Sequence, residues 1–360
     1  MEETLLGGLS AQAFLRRHWQ KRPLLVRQAL PGFRGAIGKS ALFALAARDD
    51  IESRLVERDG RRWRLTQGPL KKSRLQKAGS RNWTLLVNGV NCHNEAAEQL
   101  LRRFAFIPQA RLDDVMVSYA APGGGVGPHV DSYDVFLVQG AGRRRWRLAP
   151  PRRFKLVPNA PLKLIAGFKA TQEVVLEPGD LLYLPPGWGH EGVALDACFT
   201  CSVGFRAPRG AELAAAFLDY LHERGLPDAS YRDPGLKAAR HPARIGPEMA
   251  AFAKGVLNRI RWNGADATEL LGRHLTTPKS NVVFKAHSRS NSNVVVLDPK
   301  TQLLYAGARF FINGESFSTR SGQRQALREL ADRRRAPRTA MVRAGLGTLV
   351  AEWRKAGYLA

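Results

Sequence analysis

A histidine and an aspartate two residues apart, His129 and Asp131, have the types and spacing of a metal-binding pair. Alternate residues of a β-strand point to the same side, so the imidazole and the carboxylate would converge. His190 is the candidate third ligand, because it ends the pattern G-x5-P-x-G-x2-H that begins at Gly179. Two histidines and one carboxylate form the ligand set of non-haem Fe(II) oxygenases. The competing interpretation of the first pair is a surface histidine and aspartate on an edge strand.

An Fe(II) oxygenase that uses 2-oxoglutarate also needs a cation for the far carboxylate of the co-substrate, preferably arginine. Residues Val135–Gln139 and Arg143–Leu148 flank a glycine-containing turn, which predicts a β-hairpin. On its second strand Arg144 shares a face with Trp146 and Leu148, so Arg144 is predicted to point inward. The alternative is a salt bridge between Arg144 and a carboxylate in the core.

The strand that precedes this region carries a polar face formed by Asp114, Met116 and Ser118, which alternate with apolar residues. If that face looks into a barrel, Ser118 could hydrogen-bond the co-substrate and Asp114 could receive a cationic substrate. Tyr133 lies two residues beyond Asp131 and would wall the pocket from the metal side. The alternative is that Asp114 and Tyr133 are rim residues with no ligand.

The chain has 56 Lys and Arg against 31 Asp and Glu, a net charge of +25. Such a charge attracts polyanions, including nucleic acid, although an arginine-rich composition with a solvated surface explains it equally well. No apolar run approaches the roughly 20 residues of a membrane span. An acidic start with no signal-peptide pattern and only three cysteines favour a soluble protein of the reducing cytoplasm.

Many short strands with frequent turns up to about Pro208 predict a mainly β fold, a jelly roll that encloses a site. Amphipathic helices follow, and then a mixture of hairpins and helices that resembles a winged helix. We therefore expect a jelly-roll domain at 1–208, a helical region at 209–266 and a winged-helix-like domain at 267–360. Within the last domain the predictions are strand pairing of Asn293–Leu297 with Gln302–Ala306, a helix at Gln323–Arg334 and a final helix at about Ala340 to Ala356.

Four segments together resemble the bacterial JmjC-type ribosomal oxygenases: PGGGVGPHVDSYDVFLVQGAGRRRWRL, the segment around His190, SVGFRAP and the N-terminal HWQKRPLLVR. The resemblance covers nearly the whole chain. It implies a cupin-like JmjC domain (a double-stranded β-helix), a helical dimerisation region and a C-terminal winged-helix-like domain. It also implies an enzyme that uses Fe(II), 2-oxoglutarate and O2 to hydroxylate the β-carbon of an arginine in a large-subunit ribosomal protein.

The resemblance implies that iron is held by His129, Asp131 and His190. It implies that 2-oxoglutarate is held by Arg144, and that the arginine pocket is shaped by Asp114, Met116 and Tyr133. Human relatives of this family hydroxylate histidine instead, so a histidyl hydroxylase stays open. Two other classes also stay open: a basic RNA- or ribosome-binding protein built on a degenerate cupin scaffold, and a cupin metalloenzyme such as an isomerase. The expected partners are a ribosomal protein, a second copy of the chain and possible ribosomal RNA through the basic surface, with no membrane.

Overall fold

Short runs of apolar and β-branched residues between Pro and Gly turns form the strands of the first part of the chain, as their composition predicts. The computed structural model describes residues 2–286 and 292–360. The strands before residue 208 are, in chain order, β1 (Leu24–Val26), β2 (Ser53–Asp59), β3 (Arg62–Gln67), β4 (Trp83–Val87), β5 (Leu112–Ala120), β6 (His129–Val130), β7 (Val135–Gln139), β8 (Arg144–Ala149), β9 (Gln172–Leu176), β10 (Leu181–Leu184), β11 (Gly189–Ala194) and β12 (Cys198–Phe205).

These strands form two antiparallel sheets. The larger sheet has eight strands in the order β1-β10-β7-β12-β5-β4-β2-β3, and the smaller has four in the order β6-β11-β8-β9. One face of the larger sheet meets the smaller sheet through an apolar cluster that includes Leu137, Leu182 and Trp146. The predicted jelly roll is therefore confirmed, and its interior lies between the two sheets.

The other face of the larger sheet carries the main hydrophobic core. Helices α1 (Glu2–Leu5), α2 (Ala11–Arg17), α3 (Lys39–Ala46), α4 (Lys72–Gln76) and α5 (Glu95–Arg102) contribute to this layer. Ser10 and Asn94 begin α2 and α5 by accepting hydrogen bonds from backbone amides of the first turn. Phe14 of α2 packs edge-on against Tyr183 of β10, which fixes that helix on the sheet.

The predicted hairpin of Val135–Gln139 with Arg143–Leu148 is wrong. Strand β7 pairs with β10 and β12 in the larger sheet, whereas β8 pairs with β11 and β9 in the smaller one. The glycine-containing turn instead carries the chain from one sheet to the other. A short turn is a local signal, and pairing with sequence-distant strands overrides it. The predicted alternation on β8 nevertheless holds, because Arg144, Trp146 and Leu148 are all buried.

The remaining elements are α6 (Gly210–Glu223), α7 (Pro247–Leu257), α8 (Gly264–Thr276), β13 (Val294–Val296), β14 (Leu303–Ala306), β15 (Arg309–Ile312), β16 (Glu315–Ser318), α9 (Ser321–Arg333), β17 (Arg335–Pro337), α10 (Arg338–Arg343) and α11 (Gly347–Lys355). The predicted pairing of Gln302–Ala306 with Asn293–Leu297 is wrong, because β14 pairs with β15. The turn at Asn313-Gly314, with positive φ at both residues, then pairs β15 with β16. The single helix predicted near the C-terminus is two helices, interrupted at Gly345, whose φ is also positive.

The chain divides into two compact units. The first comprises residues up to 207 together with 278–301 and 347–360, and the second comprises 208–277 and 302–346. The predicted domain boundaries at residues 208 and 266 stay predictions. Within 2–286 and 292–360, no helix combines the length and apolarity that a bilayer crossing requires.

Candidate metal centre

The side chains of His129, Asp131 and His190 meet at one point inside the jelly roll. Their ligand atoms all lie within 4.8 Å of one another. His129 Nε2 is 3.9 Å from Asp131 Oδ1, and His190 Nε2 is 3.5 Å from Asp131 Oδ2. Atoms at these separations can bind one cation with little movement, and the two-histidine, one-carboxylate set fits a divalent first-row metal.

Strand register places the two histidines. On β6 and β11, His129 and His190 are directly opposite each other, with ring centroids 4.2 Å apart. Asp131 follows the end of β6, and its carbonyl accepts a hydrogen bond from Gly187 N at 2.9 Å. This hydrogen bond from the turn before His190 therefore holds the backbone of Asp131 in position.

Each imidazole is oriented through its other ring nitrogen. Nδ1 of His129 lies 2.9 Å from the carbonyl of Gly127, and Nδ1 of His190 lies 3.0 Å from that of Trp188. A proton on Nδ1 donates to the carbonyl and leaves the Nε2 lone pair for the metal. Burial, helped by the neighbouring His129, lowers the pKa of His190 to about 4. His190 is therefore neutral at pH 7, the form that binds metals.

Arg144 extends the site along the same sheet face. Residues opposite each other on β8 and β11 share a face, and the register pairs Leu148 with His190 and Ala194 with Arg144. Arg144 is only 5% exposed. Its Nη1 donates to Ser118 Oγ at 3.3 Å and its guanidinium stacks over Trp146, while its Nε and Nη2 are buried without a hydrogen-bond partner.

The alternative of a core carboxylate partner for Arg144 is wrong for the part of the chain that the structure describes, since its only hydrogen-bond partner there is the Ser118 hydroxyl. An unpaired buried guanidinium costs several kcal/mol, roughly, and is retained where an anion neutralises it. The arrangement is that of a site for a small carboxylate beside a metal. The donor set thus fits both a divalent ion and a 2-oxoglutarate molecule.

Ser118 and Thr84 are two of the polar residues on the larger sheet's inner face. Ser118 is buried, and its hydroxyl lies 3.5 Å from the carbonyl of Thr200. The register of β4 and β5 puts Thr84 on the same face as Ser118. The Thr84 hydroxyl is buried and has no hydrogen-bond partner among residues 2–286 and 292–360. Thr84 was not predicted, because a threonine in a strand carries no signal that separates it from an ordinary β-residue.

Asp114 is not a free carboxylate at the mouth of the site. Its Oδ2 accepts a hydrogen bond from Gly89 N at 2.8 Å and lies 4.0 Å from Lys279 Nζ. Lys279 is also 3.0 Å from Asp113 Oδ1. Burial raises the pKa of Asp114, and the ammonium of Lys279 partly opposes that shift. Lys279 was missed, because no local pattern links residues 165 positions apart. A cation already sits beside this carboxylate.

Met116 and Tyr133 lie near the same mouth. Met116 is half-buried on β5 beside Ser202 of β12. Strand β6 ends at Val130, so alternation along a strand does not place Tyr133, and its role in the substrate pocket stays a prediction. Burial, with a smaller effect of the carboxylates of Asp131 and Asp114, raises the pKa of Tyr133. Its side chain stays 41% exposed, as expected of a residue at an opening.

Comparisons with known proteins agree with this geometry. Residues 99–213 match the JmjC domain model, and residues 259–360 match the model of the ROXA-like winged helix. The chain is 43% identical over 236 residues to the ribosomal protein uL16 3-hydroxylase of Escherichia coli, and 38% identical over 211 residues to a probable ribosomal oxygenase of Haemophilus influenzae. These alignments cover 65% and 57% of this chain but only 63% and 52% of the relatives, which is less than two thirds of their length.

A solved structure extends the likeness to the full length. The E. coli ribosomal oxygenase YcfD, in complex with cobalt and 2-oxoglutarate, matches with a TM-score of 0.82 and 32% identity, and the match covers 98% of both chains. Both the fold and the order of the domains are therefore shared with a protein whose crystals contain a divalent metal and 2-oxoglutarate.

Proposed function

This chain belongs to the bacterial JmjC-type ribosomal oxygenases, and we propose that it is an Fe(II)- and 2-oxoglutarate-dependent hydroxylase of a ribosomal protein. The observation that carries the proposal is the buried guanidinium of Arg144, which has two nitrogens without partners and lies on the same sheet face as His190. A scaffold that had lost its chemistry would gain stability by replacing such a charge with an apolar residue.

The metal and the co-substrate would be held by different residues. His129, Asp131 and His190 hold Fe(II), and Arg144 with Ser118 holds the far carboxylate of 2-oxoglutarate. When bound, iron and 2-oxoglutarate supply the oxidising power that lets O2 hydroxylate an unactivated carbon, with succinate and CO2 as the other products.

The protein supplies orientation and a dry environment. The carbonyls of Gly127 and Trp188 fix both imidazole rings before any metal arrives. Trp146 and Leu148 keep water from the sheet face between Arg144 and the ligands. In such surroundings the charge of Arg144 acts at low dielectric, so it binds an anion far more strongly than a surface arginine does.

We further propose that the modified residue is an arginine, at its β-carbon, in a large-subunit ribosomal protein. Asp114 supports this, because a buried carboxylate recognises a guanidinium through charge-assisted hydrogen bonds. The position of Lys279 Nζ, 4.0 Å from Asp114 Oδ2, supports the capacity of this pocket for a cationic group. Met116 and Tyr133 would pack against the aliphatic part of the side chain. A histidyl hydroxylase has less need of this carboxylate, since a neutral imidazole carries no charge.

The C-terminal half supports a homodimer. Helix α7 has no buried residue. Seven large apolar side chains between residues 218 and 262 are exposed: Leu218, Leu226, Leu236, Ile245, Met249, Leu257 and Trp262. An apolar surface of this kind marks a protein–protein interface. We therefore propose that residues 209–266 dimerise, between a catalytic domain at 1–208 and a winged-helix domain at 267–360. Light scattering of the full chain, compared with Leu257→Glu, tests it.

Because the related hydroxylase is named for a ribosomal protein, we place the enzyme in the cytoplasm, where ribosomes are assembled. Two other classes are disfavoured. A degenerate cupin that only binds RNA explains the charge but not the intact ligand set, and a cupin isomerase has no use for Arg144.

The test is succinate release from 2-oxoglutarate with Fe(II), with and without uL16 peptides, followed by mass spectrometry of the peptide. One added oxygen atom on an arginine, lost in His129→Ala and Arg144→Ala, is the expected result. Replacing that arginine by lysine and by histidine separates an arginine enzyme from a histidyl hydroxylase. Absence of 2-oxoglutarate binding in the presence of Mn(II) would overturn the enzyme assignment.

A further inference from the structure

An exposed segment of the catalytic unit beside the metal-binding strands carries positive charge and no acidic residue. Residues 151–169, which connect β8 to β9, contain five basic residues and no acidic one. We call this segment the basic lobe. All five side chains are exposed, and none makes an ion pair among the described residues. They are Arg152, Arg153, Lys155, Lys163 and Lys169.

The basic lobe has a defined structure. Leu156 and Ile165 form a β-bridge, and Val157 N donates to the carbonyl of Leu164 at 2.8 Å. Ala166 N donates to the carbonyl of Lys155, also at 2.8 Å. The lobe is therefore a small hairpin that holds its cations on an ordered backbone, which lowers the entropy lost when they bind a partner.

The lobe is fastened directly to both metal-binding strands. Ile165 N donates to the carbonyl of Pro128, the residue before His129, at 2.8 Å. The rings of Phe154 and Phe168 pack over Gly189, the residue before His190, so closely that a β-carbon there would lie 2.7 and 3.1 Å from them. Whatever binds the lobe is thus held within a few residues of the metal ligands.

Several other basic residues on or beside this sheet are paired or buried. Arg147 donates to Glu191 at 2.8 Å, and Arg143 donates to Asp196 at 2.9 Å. Arg144 is inside the barrel. The lobe's five cations make no ion pair among the described residues, and aromatic rings lie beside them: Arg152 lies 5.2 Å from the Phe154 ring centroid. Cations interleaved with aromatic rings suit the phosphates and bases of a nucleic acid.

We propose that the basic lobe binds the phosphate backbone of RNA and so holds an RNA-bound substrate at the mouth of the site. Ribosomal proteins are themselves basic, so the lobe would repel a free one, whereas it would attract one that is bound to ribosomal RNA. The RNA contact stands on the charges of the lobe. Its use in presenting substrate rests on the proposed hydroxylase function.

The experiment measures binding of the full-length protein to a fluorescein-labelled single-stranded RNA of about 20 nucleotides, by anisotropy over a range of salt concentrations. The test variant combines Arg152→Gln, Lys155→Gln and Lys163→Gln. The matched control removes the same charge from the winged-helix part through Arg335→Gln, Arg338→Gln and Arg343→Gln, which are also exposed. Thermal melting confirms that both variants are folded.

We expect the lobe variant to bind RNA about tenfold more weakly near 0.1 M salt and to reduce the slope of log K against log salt by about 2, at 0.7 per lost phosphate contact. The control should change neither by more than about threefold. Equal weakening by both variants, weakening by the control alone, or no RNA binding by the wild type would overturn the proposal. So would tight binding to phosphatidylserine vesicles without binding to RNA, which would indicate an anionic membrane instead.

A parallel assay separates this inference from the proposed function. Hydroxylation of a short uL16 peptide free of RNA should be at least as fast in the lobe variant as in the wild type, because the three substituted side chains lie outside the metal and Arg144 site and their charges would repel a basic peptide. RNA binding without peptide hydroxylation by the wild type would leave the lobe assignment intact and refute the hydroxylase. Peptide hydroxylation without RNA binding would support the hydroxylase and refute the RNA-binding role of the lobe.

Discussion

The Nη1 atom of Arg144 lies 3.3 Å from Ser118 Oγ, and this hydroxyl is the one hydrogen-bond partner that the described residues offer to the buried guanidinium. The charge is thus held in place but not neutralised. Binding of a carboxylate completes the pair, and two distinct consequences follow for substitution of Arg144.

Arg144→Leu should weaken 2-oxoglutarate binding by about 2–5 kcal/mol, or roughly 30-fold and more, because the carboxylate would then be buried without its charged partner. The same substitution should leave the unliganded protein as stable as the wild type or raise its stability by about 1–4 kcal/mol, since an unpaired buried charge is removed. Calorimetric titration with Mn(II) present and thermal melting measure the two effects. Arg143→Leu is the control, because Arg143 is exposed and pairs with Asp196. A clear loss of stability in Arg144→Leu would contradict this account of the site.

His129→Ala should abolish stabilisation by metal. At 100 times its dissociation constant, Mn(II) should stabilise the wild type by about 2.7 kcal/mol, which raises the melting temperature by about 5 °C or more. Differential scanning fluorimetry with and without the metal gives the shift. His222→Ala, on the exposed last turn of α6, should keep the full shift. A shift that persists in His129→Ala would place the metal elsewhere.

Asp114→Asn should raise KM for an arginine-containing peptide by about tenfold or more, since a hydrogen bond to a charged group contributes about 1.5–3 kcal/mol. The neighbouring Asp113→Asn is the matched control. Asp113 is already engaged by Arg206 and Lys279, at 3.4 and 3.0 Å, so its loss should change KM little. Steady-state succinate release with both variants measures the difference. Equal increases in KM would show that Asp113 and Asp114 act only through their negative charge, and that Asp114 makes no specific hydrogen bond to the substrate.

Tyr183→Phe should destabilise the first unit by about 1–2 kcal/mol. Its hydroxyl donates to the fully buried Asp134 at 2.6 Å and accepts a hydrogen bond from Gln20 N at 2.8 Å. Asp134 would be left fully buried with one hydrogen bond fewer. Tyr305→Phe, whose hydroxyl reaches Asp332 on the surface, should cost less than about 0.5 kcal/mol. Urea unfolding measures the free energy of unfolding of both variants. A loss in Tyr183→Phe no larger than that in Tyr305→Phe would show that the Tyr183 hydrogen bonds do not stabilise the fold.

Cys92 should react slowly with iodoacetamide in the native protein. Burial raises the pKa of its thiol to about 11, so the reactive thiolate is scarce at pH 8.5. A folded-state pKa above the unfolded value of 9.0 also means that this thiol's contribution to stability is present below about pH 9 and is lost as pH rises towards 11. Mass spectrometry of alkylated peptides between pH 8 and 11 gives the rate at each pH. Rapid labelling of Cys92 at pH 8.5, without unfolding, would contradict the expected burial.

The sequence predicted those parts of the site that depend on local patterns. The period of two gave the inward face of Arg144 on β8, which the structure buries. The residue types at 129 and 131 and the turn pattern that ends at His190 identified the three ligands, and the structure brings them together although Asp131 lies just beyond the end of β6. Each of these inferences needs only a short window of residues around the side chain concerned.

What the sequence could not predict depends on pairing over long distances. The turn before Arg144 suggested a hairpin, yet β7 and β8 belong to different sheets. Lys279 pairs with Asp113 from a distant part of the sequence, and no periodicity of the sequence predicts such a contact. Tyr133 lies beyond the end of a strand of only two residues, so its position had to come from the fold rather than from alternation.

His129 and His190 lie opposite each other on β6 and β11, so metal binding depends on the correct pairing of these two strands. A slip of one residue between these strands would turn one imidazole to the outside and leave the site with two ligands. The strands come from separate parts of the chain, so a nascent or misfolded chain cannot gather the set. Because two ligands bind a divalent ion more weakly than three, tight metal binding requires this register of β6 and β11.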